Sequence, residues 1–159
     1  MNYVYCPRNI GTWRFTGIPN FTPEHFRRVR LNNPLKAKQL EKGLRQLAEE
    51  GAVQLFRPLS SSYFILGAMG ELQFEVVMAR LLDEYGVETS YEVVNLSTVR
   101  WITSSDWRRL KEFKRTMRDN LAIDGLGNLA YLAANEWRLT DTMKQWPDIA
   151  FHKTVEHGE

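Results

Sequence analysis

The chain has 159 residues, 43% hydrophobic and 25% charged, with a formal net charge of +2. This is enough length for a compact core, in one ordinary globular domain or two small ones, and so near charge balance the bulk electrostatics neither demand nor exclude nucleic acid. The single Cys6 excludes an internal disulfide and a thiolate zinc cluster, and no leader or long apolar run is present, which favours a cytoplasmic protein.

Residues 1–20 fit no regular unit. "RFTGIPNF" has a turn composition, and the beginning reads as the cut edge of something larger or an appended segment. "HFRRVRL" at 25–31 is a strand, and Asn33 and Pro34 form a helix start. Leu40, Leu44 and Leu47 continue at helical spacing until Gly51, and "VQLF" and "SYFILG" form a hairpin. A second helix carries Phe74, Val77, Met78, Leu81 and Tyr85 on one side and stops at Gly86. "VETSYEVVN" alternates as a strand with Val87, Thr89, Tyr91 and Val93 on one face.

The order of strand, helix, two strands, helix, strand then recurs. "TVRWIT" is a strand, and residues 106–120 are a helix with Trp107, Leu110, Phe113 and Met117 at helical spacing. "LAIDGLGNLAYLA" turns a hairpin at Asp124-Gly125 or Gly127-Asn128. A short helix aligns Leu139, Met143 and Trp146 before Pro147, and "DIAFHKT" is the last strand. The expected fold class is α+β: two consecutive ferredoxin-like βαββαβ units packed together, at 21–95 and 96–159.

Chemistry is sparse. The segment "GAMGELQFEVV" places two glycines before a helix, but it lacks the lysine and hydroxyl residue of a phosphate loop, and Glu71 occupies the helix's positive end. The glycines are expected to serve a sharp strand-to-helix turn. Ser60, Ser61 and Ser62 have no histidine and acid in register, so they read as a solvated turn. The acid pairs Glu49 with Glu50 and Asp83 with Glu84 are expected to face water. His25, His152 and His157 lack ligand spacing. No catalytic, cofactor-binding or metal-ligating residue is expected. A phosphatase-like anion cradle around Arg30 and Asn32 is disfavoured by Pro34, which removes an amide from the helix start.

Positive charge is clustered. Arg27, Arg28 and Arg30 lie along the first strand, and Lys38, Lys42 and Arg45 follow one helical face. Arg108, Arg109, Lys111, Lys114, Arg115 and Arg118 wrap the third helix, where Glu112 and Asp119 supply the opposing sign. Such charges are either solvated helix surface or contacts to a phosphate backbone. The strand "SYFILG" lacks the glycine-aromatic pattern of RNA recognition motifs, so contact with RNA would be to shape and phosphate, without sequence-specific reading.

Several long stretches carry a family likeness. "GAMGELQFEVVMARLLDEYGVE" resembles the G-x-G-E-L hallmark in the third domains of ribosomal translation GTPases. "FTGIPNFTPEHFRRVRL", "PLKAKQLEKGLRQLAEEGAVQLFRPL", "YGVETSYEVVNLSTVRW" and "NLAIDGLGNLAYLA" resemble the C-terminal domain of bacterial peptide chain release factor 3, over about residues 15–157. Met1 to Ile10 has no counterpart there, and Leu126-Gly127 stands where that family commonly has a glycine and an acid. The resemblance implies a parent that hydrolyses GTP, with magnesium, in a GTPase domain outside this chain and promotes departure of the class I release factor. It implies that residues 1–20 are a remnant of a preceding barrel. Its implied partners are the ribosome, chiefly the small subunit, and the parent's GTPase and barrel domains, with no membrane. The expected contacts are Arg27, Arg28, Arg30, Lys38, Lys42 and Arg45, then Arg108, Arg109 and Lys114. The competing reading is a paired ferredoxin-like regulatory module holding a small metabolite between its units.

Overall fold

The computed structural model describes residues 22–154 and, ahead of them, the backbone of two short strands, β1 (Tyr3–Tyr5) and β2 (Trp13–Phe15), paired antiparallel to each other. The expectation for residues 1–20 otherwise lies outside the described residues.

The first strand of the main sheet, β3 (His25–Leu31), leads through a 3-10 turn into α1 (Ala37–Glu49). Asn33 caps that turn, its side chain accepting from the Leu35 amide at 3.1 Å, and Pro34 takes the position where a missing amide costs least. The strands β4 (Gln54–Pro58) and β5 (Ile65–Ala68) form the hairpin, followed by α2 (Leu72–Tyr85) and β6 (Thr89–Val93). Gly86 ends α2 in the left-handed region, φ 65°, where a side chain would be strained. The second half repeats the course: β7 (Thr98–Thr103), α3 (Trp107–Thr116), β8 (Leu121–Asp124), β9 (Leu129–Ala133), α4 (Glu136–Gln145) and β10 (Ala150–His152).

All pairings are antiparallel, and the sheet order is β10-β7-β9-β8-β4-β5-β3-β6. Each half therefore has the ferredoxin-like order, and the halves are fused edge to edge through β4 and β8 into one eight-stranded sheet. The register at the seam sets Phe56 opposite Asp124 and Pro58 opposite Ala122. Because directly opposed residues share a face, Leu55 and Leu121 lie on the other side, and each belongs to a helix-covered core. All four α-helices of the described residues thus cover one face.

Among the described residues the opposite face carries no helix, yet it is buried. Phe26, Phe56, Ile65, Val99, Trp101, Ala122, Ala130 and Leu132 form its core. Phe56 and Trp101 stand three strand positions apart, about 14 Å across a flat sheet, but their ring centroids are 6.4 Å apart. The Thr22 hydroxyl, just before β3, donates to the Lys153 carbonyl, just after β10, at 2.6 Å. Those strands are six positions apart in the sheet order, roughly 29 Å if flat. The sheet therefore curls so that the helix-free faces of the two halves close on each other, an exaggeration of the ordinary sheet twist.

Three side-chain placements depart from the apolar pattern. Val93 ends β6 at 80% exposure because the chain leaves the sheet there. Trp107 is 66% exposed: it stands about 90° around the helix from the inward line of Leu110, Phe113 and Met117. On α4 the inward line is Leu139, Thr142 and Trp146, which leaves Met143 at the margin. The Thr142 hydroxyl shares a hydrogen bond with the Tyr131 hydroxyl at 2.8 Å, a buried polar pair that apolar periodicity does not reveal.

Candidate functional site

The glycine segment before α2 is closed to anions by its own side chains. The Gln73 carboxamide folds back, its oxygen accepting from the Met69 and Gly70 amides at 2.7 and 3.2 Å, and its nitrogen donating to the Ala52 carbonyl at 3.2 Å. Glu71 pairs with Arg27 and lies 3.5 Å from His25. Neither glycine has a positive φ, which corrects the expectation of a glycine-dependent turn. Gly67 is required by close approach instead: a Cβ there would come within 2.8 Å of Pro23 and 3.0 Å of Phe56. Gly70 faces open space.

The first basic group is divided between two faces. Alternation along β3 puts Arg27 on the helix side and Arg28 and Arg30 on the other. Arg27 is mostly buried: it pairs with Glu71, donates to the Phe26 carbonyl at 2.8 Å and lies 5.4 Å over the Phe74 ring. Arg28 stacks 4.2 Å over Tyr63 and lies 3.5 Å from Glu92, which also takes Arg30 at 2.5 Å. On α1, Arg45 reaches Glu41 at 3.0 Å, and the same carboxylate takes Arg57 at 2.5 Å. The Arg57 hydrogen bond, then that from Arg45, holds the Glu41 carboxyl below the usual carboxylate range. Lys38 and Lys42 remain exposed and meet no carboxylate among the described residues.

The second basic group is less constrained. Asp106 caps α3, accepting from the Arg108 and Arg109 amides at 3.0 and 3.3 Å. Inward, Phe113 packs edge-on against Trp146 and Phe151, with centroids 5.1 and 5.8 Å away. Arg109 is drawn into structure: it lies 4.5 Å over Trp146 and bonds Glu112 at 2.8 Å and Asp148 at 3.2 Å. Arg118 donates to the Leu59 carbonyl at 2.8 Å. Arg108, Lys111, Lys114 and Arg115 are exposed and meet no carboxylate among the described residues, and Arg108 lies 5.5 Å from the centroid of the exposed Trp107 ring. Of the anticipated contacts, Arg108 and Lys114 thus share one surface, to which the structure adds Lys111, Arg115 and Trp107.

Two arginines carry structural roles that sequence reasoning missed. Arg80 on α2 bridges Glu50 at 2.6 Å and Glu84 at 2.5 Å, so one carboxylate of each anticipated acid pair ties the two helices together. That hydrogen bond holds the Glu84 carboxyl below its usual range. Arg100 on β7 is buried and donates to Thr98 Oγ1 at 2.8 Å and the Val99 carbonyl at 2.7 Å. The Arg80–Glu84 pair has the legible i, i+4 spacing and Arg100 bonds its immediate neighbours, but the distant acids, Glu50 for Arg80 and Glu136 at 3.7 Å from Arg100, have no local signal.

The family model described as class II release factor RF3, C-terminal domain, matches residues 15–143. The chain belongs to that family. In this release factor domain the hairpin tip at 124–128 is organised by Asp124. One carboxylate oxygen accepts from the Leu126 and Asn128 amides at 2.9 and 2.8 Å, and the other from Trp101 Nε1 at 3.0 Å. Asp124 is the anticipated turn residue, and it also anchors the curl of the sheet through Trp101. A cavity of about 170 Å³ lies at the seam, lined in part by Tyr63, Ile65, Val94, Leu96 and Leu132. That is below the roughly 300 Å³ at which small-molecule sites begin, so its size does not favour the metabolite-binding reading. Among the described residues no three His, Cys, Asp or Glu side chains gather to hold a metal, and no helix is long and apolar enough to cross a membrane. The family context is translation termination, within protein biosynthesis.

Proposed function

We propose that this domain contacts the ribosome, chiefly its small subunit, and couples that contact to the GTPase and barrel domains of a longer release factor in the cytoplasm. The parent protein hydrolyses GTP, with magnesium, in its own GTPase domain and promotes departure of the class I release factor. The domain's part is mechanical. A curled sheet with a shared core moves as one body, so rotation imposed at one end alters contacts at the other.

The observation that carries this reading is the exposed surface of α3, where Arg108, Lys111, Lys114 and Arg115 project without carboxylate partners among the described residues. Lys38 and Lys42 on α1 are the secondary contact. Arg27, Arg28, Arg30, Arg45 and Arg109 contribute less, because each is already engaged by an acid of its own chain. Co-sedimentation of the domain with purified ribosomes over a salt series tests the ranking. Glutamate at Arg108, Lys111 and Lys114 is expected to weaken binding and flatten its salt dependence more than glutamate at Lys38 and Lys42. Equal binding by wild type and the α3 variant at every salt concentration would remove α3 from the contact.

A further inference from the structure

We propose that α3 binds unpaired, looped RNA, with Trp107 as a platform on which one base stacks and Arg108, Lys111, Lys114 and Arg115 as contacts to the flanking phosphates. This inference rests on the ribosome-contact reading and specifies its partner.

The fold removes the usual alternative. RNA-binding sheets stack bases on aromatic residues of an open sheet face, but here one face is under four helices and the other is closed by the curl, with Phe26, Phe56 and Trp101 each at most 3% exposed. RNA therefore has access to side chains of the helix layer. On that layer Trp107 is 66% exposed at the first turn of α3, with Arg108 5.5 Å from its ring centroid and Lys111 one turn on. The remaining acid of the helix, Glu112, is taken by Arg109, so the four cations present an unmatched positive surface.

A protein partner fits this surface less well. The cores of protein interfaces are depleted in lysine and gather contiguous apolar area, whereas the exposed neighbours of Trp107 along α3 are Arg108, Lys111 and Lys114. An aromatic ring among cations is the arrangement that holds a single strand, where bases stack irrespective of sequence and the groove tracks phosphates. A base inside a duplex offers no free ring face, which selects a loop or bulge over a helix.

Fluorescence anisotropy with a labelled RNA hairpin bearing an unpaired loop, and with a blunt RNA duplex of equal length, tests the inference. The wild-type domain is expected to prefer the hairpin. Trp107→Ala should lower hairpin affinity about tenfold and remove the preference, and Trp107→Phe should retain most of it. Lys111→Glu with Lys114→Glu should weaken both RNAs and reduce the salt slope by roughly 0.7 for each single-strand phosphate that the variant no longer neutralises. Circular dichroism of each variant separates these losses from unfolding. Equal affinity for both RNAs, or a preference that survives Trp107→Ala, overturns the stacking role. If the glutamate variant loses ribosomes while the wild-type domain binds neither RNA, the ribosome contact stands, its partner is a ribosomal protein, and the RNA inference fails. If the variant keeps ribosomes in full, the α3 ribosome reading fails, and hairpin binding abolished by Trp107→Ala would still establish an RNA surface.

Discussion

The two halves of the sheet follow the same strand order with dissimilar residues, and they solve the helix layer differently. In the first half α1 and α2 come so close that a Cβ on Gly43 would lie 2.8 Å from Leu81 and 3.0 Å from Tyr85. The surface there is laced by Arg80 with Glu50 and Glu84, and by Glu41 with Arg45 and Arg57. In the second half the core is built from rings, Phe113 against Trp146, Tyr131 and Phe151, and most cations of α3 are left to solvent. Topology can be kept by any residues that bury one face of a sheet under helices, while surface charges are free to diverge. A half whose charges are spent on its own framework has less to offer a partner.

The contrast between the halves is tested most severely at the seam, which neither half owns. Phe56, with no exposed surface, sits between Phe26 and Trp101, and Phe56→Ala should cost roughly 3–5 kcal/mol. Because the core is shared, urea unfolding should remain one transition, shifted as a whole and equally by far-ultraviolet circular dichroism and tryptophan fluorescence. Two separated transitions would mean that the halves fold independently despite the β4–β8 pairing.

A smaller effect isolates the first half. Gly43→Ala must displace a fully buried Leu81 and the Tyr85 ring, and is expected to lose about 1–3 kcal/mol in the same denaturation assay. An unchanged midpoint would show that the helices slide apart at little cost, making that half no tighter than the other.

The smallest effect concerns the charges. The folded state lowers the Glu41 carboxyl pKa, so its contribution to stability is present above the unfolded value near 4.5 and is lost as the pH falls through the folded value. Carboxyl resonances followed by NMR should show Glu41 titrating below ordinary glutamates. Arg57→Ala should raise its pKa more than Arg45→Ala does, since the Arg57 hydrogen bond is the larger cause. The reverse order would place the main partnership within α1 and loosen the link between helix and sheet.

Local signals were sufficient for the elements themselves. The Leu40, Leu44 and Leu47 spacing, the Asn33-Pro34 and Gly86 boundaries and the two hairpins all depend on neighbours within a few residues, and the structure has them where periodicity placed them. The candidate site was legible only as clusters of positive charge. Which cations are spent depends on acids far along the chain, as in Arg30 with Glu92 or Arg109 with Asp148, and no spacing rule reaches across 62 or 39 residues. Trp107 shares the i, i+3 spacing with Leu110, yet a rotation of about 100° per residue sets it about 90° from the mean direction of Leu110, Phe113 and Met117, so spacing between neighbours matches while the side chain stays out of the core.

The linear chain was enough for the βαββαβ repeat and the family, because strand and helix periods and long matching stretches are written along it. Folding in three dimensions decided the edge-to-edge fusion through β4 and β8, the curl that buries Phe56 against Trp101, and the choice of α3 over β3 as the open basic surface. Each of those follows from pairings between residues distant in the chain, whose energies depend on geometry that only the folded sheet supplies.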